Sequence, residues 1–155
     1  MSENKVLSII NVSVIPLAQW LGAQQLHGKE SRYRTRFIRV LSERAEEMEK
    51  ERISLCVKYS ETKEVEGKKV TVFLDKDGKD TTKETELVKY KIIDQKGFNE
   101  EYSEYLKESL IIDVTPATKD MINSVKETLL NTNESFKANE AALYDGWCEA
   151  FEAIK

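Results

Sequence analysis

One histidine, two cysteines and two prolines are all that this chain holds of the residues that most often build reactive or strongly kinked sites. A lone His27 beside Gly28 offers no His/Cys cluster for a metal and reads as a turn residue. Cys56 and Cys148 lie far apart and form no paired motif, so they predict buried free thiols in a reducing compartment rather than a bridge. No HExxH, GxGxxG, GxxxxGK[ST] or GxSxG occurs. The segment Asp75–Lys76–Asp77–Gly78–Lys79–Asp80 only faintly suggests a calcium loop, because the bidentate glutamate is missing, and it reads as a hairpin turn. No apolar run approaches the roughly 20 residues of a membrane span. The N-terminus lacks a basic n-region and a small-residue cleavage site, which predicts a protein that stays in the cytosol where it is made. Nothing here marks a nucleophile–base pair or a shielded carboxylate pair, so no catalytic residue, metal ligand or cofactor site is expected and the chain reads as a non-enzyme.

What is abundant is charge. Charged residues make up 34% and hydrophobic residues 40%, a composition that folds. The formal net charge of −4 speaks against a protein that coats nucleic acid. That number conceals an asymmetry: residues 29–44 carry six basic and two acidic side chains, residues 97–155 five basic and twelve acidic. Opposed patches of this kind pair within a molecule, between copies or with a partner.

Residues 29–61 organise the chain. They contain no Pro and no Gly, and Ile38, Leu41, Ala45, Met48, Arg52, Leu55 and Tyr59 follow at alternating spacings of three and four. That stripe, repeating every 3.5 residues or so, predicts one unbroken helix from about 31 to 59. Ahead of it, residues 6–10 suit a strand, and Asn11 offers a capping side chain for a helix over 12–25 that buries Ile15, Leu17, Trp20 and Leu21. Beyond it, residues 70–74 and 87–92 alternate and predict one β-hairpin, inserted at about 64–94 with its tip at 75–86. A helix is expected around Phe98–Leu106 and an extended piece at 110–114, pairing with 6–10 or with the hairpin. Thr115–Pro116 marks the start of a helix burying Met121, Ile122, Val125 and Leu129. A last helix presents Leu143, Tyr144, Trp147, Cys148, Phe151 and Ile154 on one face. The expected fold is a single mainly-α domain over 1–155: about five helices packed on one long central helix, with an inserted β-hairpin and a short extra strand.

Four segments together carry a resemblance: LHGKESRYRTRFIRVLSER (26–44), GFNEEYSEYLKESLIID (97–113), KDMINSVKETLLN (119–131) and EAALYDGWCEAFE (140–152). In this order and spacing the chain resembles, over about residues 5–153, a family of small proteins from phages of Gram-positive bacteria known as domain of unknown function 1617. Its specificity lies in the combination of GKxSRxRTRF with YDxWCE. Members of that family open the last helix with a Ser-Gly-x-Glu or Ser-Gly-x-Asp capping box, where this chain has Lys137-Ala138-Asn139-Glu140, leaving Asn139 or Ser135 to substitute. The resemblance implies a phage origin and an accessory role, in assembly or in host takeover, with no activity to carry over.

The basic cluster Lys29, Arg32, Arg34, Arg36, Arg39 and Arg44 is the sharpest candidate site. Arg32, Arg36 and Arg39 share a helix face. Such arginines pair with carboxylates of their own fold, dock on a protein partner or grip phosphate; the planar guanidinium serves all three. Arg52 on the apolar stripe either snorkels toward a glutamate or sets a polar contact at an interface. Aromatic and arginine residues dominate binding hot spots. The partner-binding set is therefore Lys29, Arg32, Tyr33, Arg36, Arg39 and Arg52. The partner expected is a protein, either a phage structural protein or a host protein, with a homo-oligomer left open and neither nucleic acid nor membrane expected. A virion-assembly or tail-associated role is the first reading and a host-directed inhibitor of a defence or regulatory protein the second. The place of action is the host cytoplasm, extending to the virion under the first reading.

Overall fold

The computed structural model describes residues 5–154. Along the chain stand β1 (Val6–Ile10), α1 (Asn11–Gly22), α2 (Gly28–Lys58), β2 (Thr62–Val65), β3 (Lys68–Thr71), β4 (Phe73–Leu74), β5 (Asp80–Thr81), β6 (Lys89–Tyr90), α3 (Gln95–Lys107), β7 (Ser109–Asp113), α4 (Lys119–Leu130) and α5 (Ala138–Glu152). The fold is mainly α with small antiparallel strand pairs, as the sequence predicts. The chain forms two compact units, one of residues up to 47 with those from 106 onward, the other of residues 48–105. The long helix is continuous from Gly28 to Lys58, so residues 28–47 serve the first unit and 48–58 the second.

The first unit is built on β1 and β7, which pair antiparallel with Leu7 opposite Ile112 and Ile9 opposite Leu110. This selects 6–10, not the hairpin, as the partner of the extended piece after α3. Alternation sends Leu7, Ile9 and Ile112 inward and leaves Val6, Ile10 and Ile111 outside. The core they join holds Val14, Leu17, Leu21, Phe37, Leu41, Ile122, Val125, Leu129 and Phe151, all at or below 2% exposure. Rings of Phe37 and Phe151 meet at 5.7 Å between centroids, so α2 and α5 are joined at the centre of this core.

Several details of α1 depart from expectation. It starts at Asn11 rather than at 12 and ends at Gly22 rather than 25. Asn11 does not cap it. The asparagine is fully buried, and its Oδ1 accepts a hydrogen bond of 2.8 Å from Arg44 Nε of α2. A helix begun that early puts Pro16 inside it, at the cost of one backbone donor to the Val12 carbonyl. Leu17 and Leu21 are buried as predicted, Trp20 only partly, and Ile15 is exposed.

The other helices of this unit bury the stripes expected of them, but two begin differently. Residues 115–118 form a turn, in which the Thr115 hydroxyl accepts from the Ala117 and Thr118 amides, and α4 begins only at Lys119. The Thr118 hydroxyl donates to the Asp113 carbonyl at 2.6 Å and accepts from the Thr115 amide at 2.9 Å, so it serves the turn and does not cap α4. Helix α5 starts at Ala138 with Lys137 before it and no side-chain cap, so neither Asn139 nor Ser135 replaces the missing capping hydroxyl. Packing fixes α5 instead, through buried Trp147, Cys148 and Phe151.

Tyr144 on α5 donates its hydroxyl to the Leu129 carbonyl at the end of α4. Burial, followed by the hydrogen bond and charge of Cys148, pushes this phenol up to about 12. The neutral form is thus the one the fold favours. Its stabilising effect is complete below the ordinary tyrosine value near 10 and is lost as pH climbs from about 10 to 12. Tyr144→Phe is expected to cost about 0.5–1.5 kcal/mol near pH 8.5, and the gap from the parent to close by pH 12, in paired urea denaturations. A gap that stays constant across that window would show that the phenol titrates normally.

The second unit contains the β structure and differs most from expectation. Instead of one hairpin there are two. Strands β2 and β3 pair through a two-residue turn, Glu66 at φ 52° and Gly67 at φ 79°. Successive positive φ values are the mark of the tight turn that matches strand twist. Strand β4 then pairs with β6, Phe73 opposite Tyr90, as the two alternating runs predict, and with β5 on its other edge. The expected tip is therefore partly a third strand. Asp75 Oδ1 closes its turn by accepting from the Asp77 and Lys79 amides, both at 2.9 Å. The first hairpin escapes sequence reading because every side chain of β2 is exposed, so no alternation records it.

Helix α3 opens on Asp94, whose Oδ1 accepts from the Gly97 amide at 2.9 Å. At Gly97 any side chain would have to displace its neighbours. A Cβ there would lie 2.4 Å from Asp94 Oδ2 and 2.6 Å from the Tyr59 ring.

Candidate functional site

The basic residues of α2 separate into two groups once their partners are known. Arg34 donates to the Gln24 carbonyl just before the helix, and Arg44 to Asn11 and, at 3.2 Å, to Glu47. These two belong to the framework. Lys29, Arg32, Arg36 and Arg39 are exposed, and among the described residues none of them forms a salt bridge or a side-chain hydrogen bond. Their spacings of three, four and three place them in one line on α2, about 15 Å long at 1.5 Å per residue. Tyr33 is half-buried and flanks that line, four residues from Lys29 and three from Arg36.

The acidic half of the chain does not neutralise this line. Among the described residues, no carboxylate from Glu108 onward forms an ion pair. The carboxylates that are paired belong to α2, the strand region and α3. Pairing of the arginine face inside the fold, one of the three roles open to it from sequence, is therefore not realised among described residues.

Arg52 lies in the second unit, and its guanidinium is engaged. It forks onto Glu49 through Nε at 2.9 Å and Nη2 at 2.6 Å, and Nη1 reaches Cys56 Sγ at 3.6 Å. The hydrogen bond to Glu49 raises Arg52 above even its ordinary value and lowers the Glu49 carboxyl. The stem packs while the head finds a neighbouring glutamate, so the charge on the apolar stripe is accounted for locally. A cavity of about 640 Å³ beside it is bordered by Cys56, Tyr90 and Phe98.

Both cysteines are free and buried, and burial pushes both thiols up, so neither supplies a thiolate at neutral pH. Among the described residues no cluster of three or more His, Cys, Asp or Glu side chains is placed to hold a metal ion. His27 is exposed in the connection between α1 and α2. In the second unit Glu101 accepts from Tyr59 at 2.9 Å and pairs with Lys58, which lowers the Glu101 carboxyl and raises the lysine. Lys91 Nζ bridges Glu61 and Asp80 at 2.8 Å each and ties β5 to the sheet. These are ties between elements of one unit, exposed and weak singly. No helix of the described residues is long and apolar enough to cross a membrane.

Fold and surface thus define a mainly-α protein whose longest helix presents a line of basic side chains with no ion-pair partner among the described residues. No protein-family model, curated protein or solved structure matches the chain.

Proposed function

We propose that this protein works by binding another protein, as a phage accessory protein in virion assembly or as a minor tail-associated component, with the Lys29–Arg32–Arg36–Arg39 line as its contact surface. The observation that carries the reading is that four cations stand exposed in a row without a described carboxylate partner. Holding like charges along one helix face is unfavourable to the isolated fold, by a few tenths of a kcal/mol per neighbouring pair, and an acidic partner surface relieves it. The resemblance of residues 26–44 and 140–152 to the phage family supports the biological setting.

The test is a pull-down from infected cells, with mass spectrometry of purified virions alongside. A phage structural protein is expected to be captured by the parent chain and lost, by about 100-fold in affinity, with Arg32→Glu/Arg36→Glu/Arg39→Glu. These side chains are exposed, so the triple variant should melt with the parent. Retention on DNA that falls steeply with salt would replace the protein partner by nucleic acid.

A second reading, a host-directed inhibitor, draws on the acidic side chains from Glu108 onward, none of which forms an ion pair among the described residues. Acting as an anti-defence protein in the host cytoplasm, it would present them to a defence or regulatory protein that ordinarily grips nucleic acid. Absence from virions together with capture of a host protein would favour it.

A further inference from the structure

A cavity of about 540 Å³ opens in the first unit between α1, the connection after α4, and α5. Its walls include Trp20, Phe136, Leu143 and Trp147, with the carboxylates of Glu134 and Glu140. That volume is in the range of ligand sites, roughly 300–1,000 Å³, and exceeds one long side chain. Trp20 and Trp147 read from sequence as parts of apolar helix faces, and Phe136, in a polar connection, carries no periodic signal.

The walls are built rather than incidental. Phe136 stacks on Tyr144 with centroids 4.6 Å apart and planes 16° from parallel. Trp20 lies 6.0 Å from Trp147 and 6.3 Å from Tyr144, tilted to both. Glu134 is held by two neutral donors, Trp20 Nε1 at 3.2 Å on one oxygen and Gln24 Nε2 at 2.9 Å on the other. These bonds orient the carboxylate without cancelling its charge. Among the described residues neither Glu134 nor Glu140 is in an ion pair, and no cation borders the cavity. Trp147 is 5% exposed, and its indole N–H, a buried side-chain donor that no described group accepts, calls for an acceptor such as a peptide carbonyl of a docked segment rather than for its cationic head.

Aromatic faces attract cations through the ring quadrupole, and carboxylates complete the recognition. We propose that this cavity docks a basic segment of a partner protein, seating a lysine or arginine side chain against the half-buried rings of Trp20 and Phe136 and the exposed carboxylates of Glu134 and Glu140. The surface is separate from the arginine line of α2 and takes a partner of opposite charge, so its occupancy does not depend on that line.

The chain's two tryptophans both line the cavity, so intrinsic fluorescence reads it directly. The probe is an acetylated, amidated Gly-Ser-Arg-Arg-Ser-Gly peptide titrated into the full chain, with citrulline replacing both arginines as the uncharged control. Saturable binding is expected for the arginine peptide alone. Glu134→Gln/Glu140→Gln should weaken it about tenfold or more while far-ultraviolet circular dichroism and the melting temperature stay those of the parent; Arg36→Glu should not weaken it. No saturable change up to millimolar peptide, or equal binding by the double variant, overturns the proposal. Concentration-dependent self-association abolished equally by Glu134→Gln/Glu140→Gln and by Arg36→Glu would put a second copy in the cavity and overturn it too.

Discussion

Phe151→Ala is expected to remove about 3–5 kcal/mol of stability. The ring is fully buried and faces Phe37 of α2 at 5.7 Å. Its removal forfeits the transfer free energy of the side chain, the ring–ring contact and the packing of a wall that cannot collapse, since α5 is also held by Trp147 and Cys148. Helix α5 has no side-chain cap, and its buried anchors, Trp147, Cys148 and Phe151, all lie in its C-terminal half. A domain stable by the usual 5–15 kcal/mol would be left marginal. Urea denaturation followed by far-ultraviolet circular dichroism measures it. A midpoint within about 0.5 kcal/mol of the parent, as for a surface site, would mean that α5 does not dock on α2 as described.

Asn11→Leu is the second large effect, expected to cost about 2–3 kcal/mol. Asn11 is 0% exposed, and its Oδ1 is the acceptor for the Nε of Arg44, whose side chain is only 19% exposed. Leucine nearly matches the volume but leaves that guanidinium nitrogen without its acceptor. Leaving a desolvated charge unsatisfied costs more than the bond contributed when made. The asymmetry supplies the test. Arg44→Met in the same background removes the orphaned group, so the double variant should recover at least 1 kcal/mol of what Asn11→Leu loses. Strictly additive losses would show that the two side chains act independently.

The two variants sample different levels of legibility. Phe151 was recognisable from sequence as part of an apolar face, because a helical repeat of large side chains has one physical meaning whatever lies opposite it. Asn11 was not. A polar residue after a strand reads as a helix cap, and only the approach of α2 turns its amide inward. The same division runs through the candidate site. That Arg32, Arg36 and Arg39 share a face follows from helix geometry; that they stay unpaired while Arg34 and Arg44 are consumed depends on where Gln24, Asn11 and Glu47 come to lie.

What the sequence determined alone is therefore what short-range periodicity governs: that the long helix is unbroken (expected over about 31–59, observed at Gly28–Lys58), the buried stripes of α4 and α5, and the strand character of 6–10. Tertiary structure decided what depends on which surfaces meet. It paired 6–10 with 109–113, split one expected hairpin into two and gathered Trp20, Phe136 and Trp147 around one cavity. The physical reason is range. Helix and strand preferences are set within a few residues, whereas strand partners, buried polar bonds and cavities are selected by contacts between residues far apart in the chain, about which local pattern carries no information.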